Sequence, residues 1–552
     1  MKKGLLTIMV VAFAIYINAI TPLSFGFYHD DAVYVATAKS LATDQGYRII
    51  SLPGEPVQTK SPPLHPFLLS LIWRVNPTFP DNIPAMMSLS AIVSLLSFFI
   101  IWYYLTKQDY SSKLIAVITI AVFAINLRTI ILSSGIYVEM FYTAISIGAL
   151  YLAEEYEKKE WNWVKGIFVG VIIGLGFLTR STGITILWSV VLYYFFRGKL
   201  RRGLIPITIG CALIATWVIW GYMNKPTDGG ANAAYYESYF QTLNNVIQDA
   251  QVQTGQSYGV TFLSIIGKNI LMLVVVSIPL TCLGMPYSWI QNYSPEQIIL
   301  VVILLFLTLI FTIIGFIRQI SSKGFRLLHF YVLTYLALQL IWPYSAYDRF
   351  LVPILPFLIL FLILELLNLA MLLRKEVSAG LTISGGMSVG VIFIIISVII
   401  GFGATYYGLG VYYSVTSLKK KYIERANEDL EAIYWLTENT EQDDILMCYR
   451  DPLYYLYTNR KAIRSSPLKD GGKIVGNQSD LEEKKVIINN LITKNNVKYL
   501  ILTSTDLELE SQADEYQKAY KLLIKESPHL FFPVFTSSDG RCVIYLIQAS
   551  AK

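Results

Sequence analysis

Apolar segments of roughly 20 residues recur from the N-terminus to about residue 410, and this feature limits the possible folds most strongly. Segments of this length can cross about 30 Å of hydrocarbon as helices. A helix also satisfies its own backbone hydrogen bonds inside a bilayer. Only 15% of the 552 residues are charged, which is too few for the surface of an ordinary soluble domain. The sequence therefore predicts a polytopic membrane protein that is mainly α-helical.

The first apolar segment, Leu5 to Ile20, follows Lys2 and Lys3. We interpret it as a membrane helix and not as a cleaved signal peptide, because Ile17-Asn18-Ala19 has a bulky residue where a cleavage site needs a small one. Both interpretations place the chain from Leu23 onward outside the cytoplasm.

The remaining apolar segments and the positions of Lys and Arg between them predict the topology. Basic residues collect in every second connection, as expected for cytoplasmic loops. This pattern predicts 11 spans in total and two long extracytoplasmic loops, 23–83 and 223–266. The ten later spans are predicted at 84–105, 113–131, 136–153, 164–180, 183–197, 203–222, 298–317, 327–342, 350–373 and 387–410.

Residues 269–284 are also apolar and leave 12 or 13 spans as alternatives. If this segment crosses the membrane, Arg318, Lys323 and Arg326 fall outside the cytoplasm. If it lies in the interface or re-enters, all three fall inside, as the positive-inside bias favours. We therefore expect an interfacial or re-entrant segment, which also puts the C-terminal part of the chain on the same side as the first loop.

The composition changes near Ser417, where charges become frequent and apolar runs shorten to strand length. Strand-like runs, a helical stretch at Leu481–Lys494 and a hairpin signal at Ser538-Asp539-Gly540 predict a small α/β domain. We expect a transmembrane module over 1–413 and an extracytoplasmic domain over 414–552. Cys448 and Cys542 could pair in that domain, although the sequence does not show their distance.

The first loop carries an acidic pair, Asp30–Asp31, at the start of a short amphipathic helix that extends to about Thr43. Aspartate is a favoured helix cap, and capping alone could explain the pair. A carboxylate at the membrane surface could also act as a general base. Lys60, later in the loop, could compensate the charge of a phosphate or could extend toward the lipid headgroups.

His29 and His65 are two of the four histidines in the chain. Together with the aspartates they could form a metal site, but their spacing favours polar or substrate contacts, so we expect neither a metal nor another cofactor. The net charge of +6 comes from cytoplasmic loops and does not indicate a nucleic-acid partner.

Four charged residues fall near the extracytoplasmic ends of predicted spans, namely Arg128, Glu139, Arg180 and Arg349. Each could be an interface anchor, and Arg349 could form a local pair with Asp348. Charges near membrane spans are costly and are candidates for function. Because all four approach the same face as Asp30 and Lys60, they predict a pocket for a phosphate-bearing lipid.

The segments His29-Asp30-Asp31-Ala32-Val33-Tyr34 and Lys60-Ser61-Pro62-Pro63-Leu64-His65-Pro66 resemble the first periplasmic loop of the GT-C membrane glycosyltransferases. The most similar branch holds the protein O-mannosyltransferases and the lipid A aminoarabinose transferases. Two departures, Val33 in place of an arginine of the aminoarabinose branch and the inserted Ser61, leave the sugar and the acceptor open.

This resemblance implies a polytopic GT-C fold and an inverting transfer of a sugar from a polyprenyl-phosphate donor. Asp30 would be the catalytic carboxylate and Asp31 its partner. The donor phosphate would meet Lys60, Arg349 and Arg180. Further substrate contacts would come from Tyr34, His65 and Glu139.

The expected acceptor is a lipid, a glycan or a protein, and the expected location is the plasma membrane of a bacterium, with the site facing outward. A transporter or flippase of a lipid-linked saccharide is one alternative, although transporters place their charges near the membrane midplane. A glycan polymerase or ligase is the other.

Overall fold

The computed structural model describes most of the chain from Lys2 to Gln548. The undescribed residues are 1, 160, 286–293, 343–346, 379–414, 418, 421, 425, 466–480, 504–512, 549–552 and most of 225–256. The predicted span 387–410 and the greater part of the predicted loop 223–266 therefore lie outside the described residues.

The described residues up to Ser378 form a helical part, which is a bundle with the two helices of the first loop, Asp30–Ala42 and Leu64–Val75, at one of its ends. Its helices are α1 Lys2–Ala19, α2 Asp30–Ala42, α3 Leu64–Val75, α4 Ile83–Lys107, α5 Lys113–Ile125, α6 Leu127–Ser133, α7 Glu139–Lys158, α8 Trp163–Thr179, α9 Ile184–Phe196, α10 Leu200–Met223, α11 Tyr258–Leu283, α12 Pro295–Lys323, α13 Leu327–Leu340, α14 Tyr347–Phe350 and α15 Leu355–Ser378.

Among the described residues, five helices are long and apolar enough to cross a membrane, or six if the bent pair α5–α6 is counted as one span. Several shorter apolar helices of 10 to 17 residues accompany them. The prediction of a multi-span helical membrane protein is therefore confirmed.

The predicted single span 113–131 is wrong in one respect, because the helix bends by 69° between α5 and α6. Asn126 interrupts it with an extended backbone, and its side chain accepts a hydrogen bond from the Arg128 N–H. Asparagine is a strong N-cap, so a new helix starts at this point. The bend directs Arg128 to the outer rim of the bundle, where it pairs with Asp348.

Contacts between connecting segments define one end of the bundle, the end that the positive-inside bias predicts to be cytoplasmic. Lys323 pairs with Asp109 at 2.7 Å. Arg326 donates to the Gln108 carbonyl and pairs with Glu154 at 3.1 Å. The turn after α12 thus lies beside the basic turn after α4, as the 11-span count requires.

α11, which contains the ambiguous segment 269–284, contacts the opposite end of the bundle at two places. The Asn269 amide donates to the carbonyls of Leu340, the last residue of α13, and of Trp342, just after it. The Asn126 amide donates to the Thr281 carbonyl. α11 is long enough to cross a membrane, but these contacts favour an interfacial position along the outer ends of the neighbouring helices.

The C-terminal part is a mixed α/β domain, as predicted. Its five-stranded sheet has the order β2-β1-β3-β5-β4, with β1–β3 parallel and β5 antiparallel to both of its neighbours. The strands are β1 Ile445–Cys448, β2 Ala462–Arg464, β3 Val497–Thr503, β4 Phe531–Thr536 and β5 Cys542–Ile547. The helices are α16 over 426–439, α17 Asp451–Thr458, α18 Leu481–Asn495 and α19 Ala513–Glu526. Cys448 and Cys542 are both buried in this domain, and no disulfide joins them.

The first loop lies between the bundle and the C-terminal domain. α2 is buried on most of its surface, so the expected amphipathic helix is wrong. It packs against α3 on one side and contacts α17 on the other, where Lys39 Nζ donates to the Asn459 side chain at 2.7 Å. Lys461 Nζ donates to the Ile50 carbonyl at 2.6 Å, so the domain and the loop share the outer end of the bundle.

Close packing of α12 against α15 gives a test of the helical arrangement. A Cβ added at Gly315 would lie 2.0 Å from the carbonyl oxygen of Phe361, whereas a Cβ at Gly148 in α7 would have no atom within 4 Å. We expect Gly315→Ala to destabilise the protein by about 1–3 kcal/mol through overpacking. Gly148→Ala should leave the stability unchanged or raise it slightly, because alanine favours helix. Thermal unfolding midpoints in detergent measure both; equal midpoints would contradict this packing.

Candidate functional site

The turn that precedes α2 places the two aspartates of the acidic pair in different surroundings. Gly26 has a φ of +80°, and its N–H donates to the Asp31 carboxylate at 2.8 Å. Asp31 is 1% exposed, whereas the Asp30 side chain is 50% exposed. Asp31 therefore fixes the loop from inside, and Asp30 faces the open rim. Neither is the N-cap of α2, because that position belongs to His29.

A cluster of four charged side chains, Asp30, Glu139, Arg180 and Arg349, lies beside this turn; we call it the rim cluster. Arg349 donates from Nε to Glu139 at 2.5 Å and from Nη1 to Asp30 at 3.1 Å. Arg180 Nη1 lies 3.2 Å from the same oxygen of Glu139. Glu139 is fully buried, so one carboxylate holds two guanidinium groups and Arg349 links it to the exposed Asp30.

Aromatic rings orient both arginines. The Arg349 guanidinium lies over Tyr28 and Tyr137, at 5.5 and 5.4 Å from their ring centres, and Arg180 lies 4.8 Å from the ring centre of Phe350. Cations over aromatic faces are stabilised electrostatically. These three aromatic residues were not predicted from the sequence, although each is within two positions of a charged candidate.

The suggested local pair of Asp348 with Arg349 is only partly correct. The Arg349 N–H donates to the Asp348 carboxylate at 2.7 Å, but the side-chain ion pair of Asp348 is with Arg128. This second pair leaves the Arg349 guanidinium directed at Asp30 and Glu139.

Tyr34 and His65 lie together behind the rim cluster. The His65 ring is 5.0 Å from that of Tyr34 and 4.8 Å from that of Phe141. Burial lowers the pKa of His65 to about 3, so its ring is neutral at physiological pH. Neither ring nitrogen has a hydrogen-bond partner among the described residues. His65 is therefore suited to packing or to accepting a neutral polar contact, and unsuited to charge compensation.

Lys60 lies in the same loop, near the outer end of α10. Its backbone N–H donates to the Gln58 side chain at 3.0 Å, as does that of the inserted Ser61 at 3.2 Å. The Trp220 indole donates to the Gln58 carbonyl at 3.1 Å. The contacts described for Lys60 thus attach its segment to α10, and its place beside a phosphate stays a prediction.

The two histidines of the first loop have different surroundings. His29 lies 3.0 Å from Asp451 of the C-terminal domain, whereas His65 is enclosed by aromatic rings. Within the described part of the chain, no group of three or more His, Cys, Asp and Glu side chains is arranged to hold a metal ion.

Comparisons with known proteins give one family match and several structural matches. Residues 60–220 match the family described as dolichyl-phosphate-mannose-protein mannosyltransferase. The oligosaccharyltransferase AglB from Archaeoglobus fulgidus, in complex with an inhibitory peptide and a dolichol-phosphate, is 13% identical with a TM-score of 0.54, over 99% of this chain and 74% of AglB. ArnT from Cupriavidus metallidurans in the apo state is 11% identical with a TM-score of 0.50, over 98% of this chain and 97% of ArnT. A comparison with curated proteins gave no significant match.

The family match confirms the resemblance to the GT-C glycosyltransferases, and the structural matches confirm the fold. The matched segment includes Lys60, His65, Glu139 and Arg180. The matched segment begins after the acidic pair and ends before Arg349. The roles of the acidic pair and of Arg349 therefore depend on geometry and not on the family match.

The buried Asp31 predicts a pH effect on stability. Burial raises its pKa to about 7, and the charge of Asp30 adds to the increase, while the Gly26 N–H opposes it. An aspartate in the unfolded chain has a pKa of about 4. As the pH rises from about 4 to 7, the unfolded chain ionises first, so the folded state loses stability.

Asp31→Asn should remove this loss, because the amide stays neutral and still accepts from Gly26. We expect Asp31→Asn to have a higher thermal unfolding midpoint than the wild type, and the difference between the two midpoints to be larger at pH 8 than at pH 5. Asp44→Asn, at an exposed position of the same loop, is the control. A difference that does not change with pH would contradict the prediction.

Proposed function

Given the match to a family of membrane mannosyltransferases, we propose that this chain is an inverting glycosyltransferase that moves a sugar from a polyprenyl phosphate to an acceptor outside the cytoplasm. The observation that carries the proposal is the bridge from the buried Glu139 through Arg349 to the half-exposed Asp30. It combines a candidate base with a phosphate-binding cation at one rim of a membrane bundle.

The arginines of the rim cluster suit the donor phosphate. A guanidinium presents several N–H groups in a planar fork that matches phosphate oxygens. Glu139 and the aromatic rings keep Arg349 and Arg180 oriented before the substrate arrives, and preorganised charge is the most effective kind in catalysis. Lys60, which lies in the first loop with Asp30, would add a further positive charge if its side chain reaches the phosphate as the resemblance implies.

Donor binding would also release the base. The rim cluster contains two carboxylates and two guanidinium groups, so an arriving phosphate adds negative charge and competes for Arg349. Asp30 is the weaker competitor, because it is half exposed and contacts Arg349 at 3.1 Å, whereas Glu139 is fully buried and contacts Arg349 and Arg180. Phosphate would therefore displace Asp30 and leave its carboxylate available to the acceptor.

The transfer then needs one proton acceptor and one leaving group. Asp30 takes the proton from the acceptor hydroxyl or amine as that group attacks the anomeric carbon. The bond between this carbon and the phosphate oxygen breaks, and polyprenyl phosphate leaves with its negative charge on the arginines. Attack from the face opposite the phosphate inverts the anomeric configuration.

The alternatives differ in where their charges should lie. A transporter or flippase binds its substrate near the membrane midplane, whereas the rim cluster lies at the end of the bundle that carries the first loop, the end predicted to be extracytoplasmic. A polymerase or ligase of lipid-linked glycans would share the cations and remains the second candidate. Undecaprenyl phosphate is the expected carrier in a bacterial plasma membrane, and the acceptor is a lipid, a glycan or a protein.

Replacement of Asp30 tests the base. We expect Asp30→Asn to lower the rate of sugar transfer by about 10²–10⁴-fold, the usual contribution of a general base. The measurement is consumption of undecaprenyl-phosphate sugars by purified protein, with the thermal midpoint confirming the fold. Asp44→Asn, in the same loop with an 88% exposed side chain, should retain full activity. Full activity of Asp30→Asn would exclude Asp30 from the chemistry.

Replacement of Arg349 tests the donor site. Arg349→Lys keeps the charge but cannot contact Glu139 and a phosphate together, because it has no fork. We expect at least about tenfold weaker binding of undecaprenyl phosphate to this variant, the effect of losing a charged hydrogen bond. Arg74→Lys, on the exposed end of α3, is the control. Unchanged binding would place the phosphate elsewhere.

A further inference from the structure

The backbone immediately before Asp30 has an unfavourable conformation. His29 has a φ of +66° and a ψ of −47°, and the Asp30 N–H donates to the Tyr28 carbonyl at 2.7 Å. This combination is a classic γ-turn, which is rare and strained in L-residues. Strained backbone at a residue other than glycine persists only where the surroundings hold it.

The C-terminal domain provides that hold. His29 Nε2 lies 3.0 Å from Asp451 Oδ1, and the Asp451 side chain is fully buried in the first turn of α17. The same helix covers the other end of the turn, because a Cβ added at Gly26 would lie 2.8 Å from Leu453. One short helix thus contacts both positions of positive φ that shape residues 26–29.

Docking of the domain does not depend on this contact. The Ala462 N–H donates to the Ser51 carbonyl at 2.9 Å, and Lys461 donates to the Ile50 carbonyl and pairs with Glu55. Loss of the His29–Asp451 contact should therefore release the γ-turn while the domain stays in place.

We propose that Asp451 is a positioning residue for Asp30, and that the C-terminal domain completes the catalytic centre by holding the strained turn at His29. Rotation of the peptide between His29 and Asp30 would change the direction of the Asp30 carboxylate, which lies 3.1 Å from Arg349. The carboxylate would then no longer face the acceptor when the donor phosphate takes its place on Arg349. The proposal rests on the proposed function, since it assigns Asp451 through the role of Asp30.

A comparison of two substitutions at His29 tests the role of the turn without altering the domain. Glycine adopts positive φ readily, so His29→Gly removes both the Asp451 contact and the need for it. His29→Ala removes the contact but keeps the strain. We expect His29→Ala to lower kcat by about 10- to 100-fold, the usual cost of a displaced catalytic group. The donor KM should stay within about twofold, and His29→Gly should recover most of the loss.

Asp451→Ala completes the cycle. In the wild-type background, Asp451→Ala should lower kcat about as much as His29→Ala does. In the His29→Gly background it should change kcat by at most about twofold, as expected for coupled residues. Lys39→Ala, which removes a contact between loop and domain at the far end of α2, should leave kcat unchanged. An equal effect of Asp451→Ala in both backgrounds, or equal activities of His29→Ala and His29→Gly, would overturn the proposal.

Hydrogen exchange of the segment 25–33 gives a readout that does not need the reaction. Asp451→Ala and His29→Ala should speed exchange at the Asp30 amide, which donates inside the γ-turn, whereas Lys39→Ala should not. Unchanged exchange would overturn the positioning role even if transfer is found. Failure of the wild type to use any polyprenyl-phosphate sugar would instead overturn the proposed function, and the exchange data would still decide whether Asp451 holds the turn.

Discussion

The outer end of the bundle depends on one buried carboxylate. Glu139 opens α7 with no exposed surface, and an ionised carboxylate in such a place is tolerated only when it is paired. Its two partners come from different parts of the chain, Arg180 from the end of α8 and Arg349 from α14. Removal of one partner from a buried pair typically costs about 3–5 kcal/mol. Glu139 therefore fixes the start of α7, the end of α8 and α14 relative to one another. Arg349 uses its Nε for Glu139, and its Nη1 is left to contact Asp30.

The charge balance of this end has a chemical consequence. Asp30 and Glu139 neutralise Arg180 and Arg349, and Asp348 neutralises Arg128. A cluster without net charge exerts little long-range attraction on an anion. An anion binds to it by replacing a carboxylate as the partner of an arginine. Exchange is easiest where the existing partner is solvated, and Asp30 is the solvated partner. Under the proposed function, the ion pair between Asp30 and Arg349 thus serves two purposes. It holds the base before the donor binds, and it is the contact that the donor phosphate replaces.

Three members of the rim cluster, Glu139, Arg180 and Arg349, were candidates from the sequence because charges are rare and costly near membrane spans. Asp30 was a candidate because it belongs to the acidic pair of the first loop. Tyr28, Tyr137 and Phe350 carried no comparable signal, since the chain has 38 Tyr and 28 Phe and aromatic residues are common at membrane interfaces. The break at Asn126 was missed because the apolar pattern continues on both sides of it. The three-residue strand β2 is too short for an alternating pattern to be recognised.

The acidic pair illustrates which information lies only in three dimensions. Successive residues of a helix point about 100° apart, so one of two adjacent aspartates can face the interior while the other faces the rim. The sequence does not say which. The choice is made before the helix begins, where Gly26 offers its N–H to Asp31 and the γ-turn at His29 sets the direction of α2. Both positions of positive φ in that turn are covered by α17 of the C-terminal domain. Two parts of the molecule therefore act on the direction of the Asp30 side chain. One is Arg349, which Glu139 holds in place, and the other is the C-terminal domain, which contacts the turn at His29.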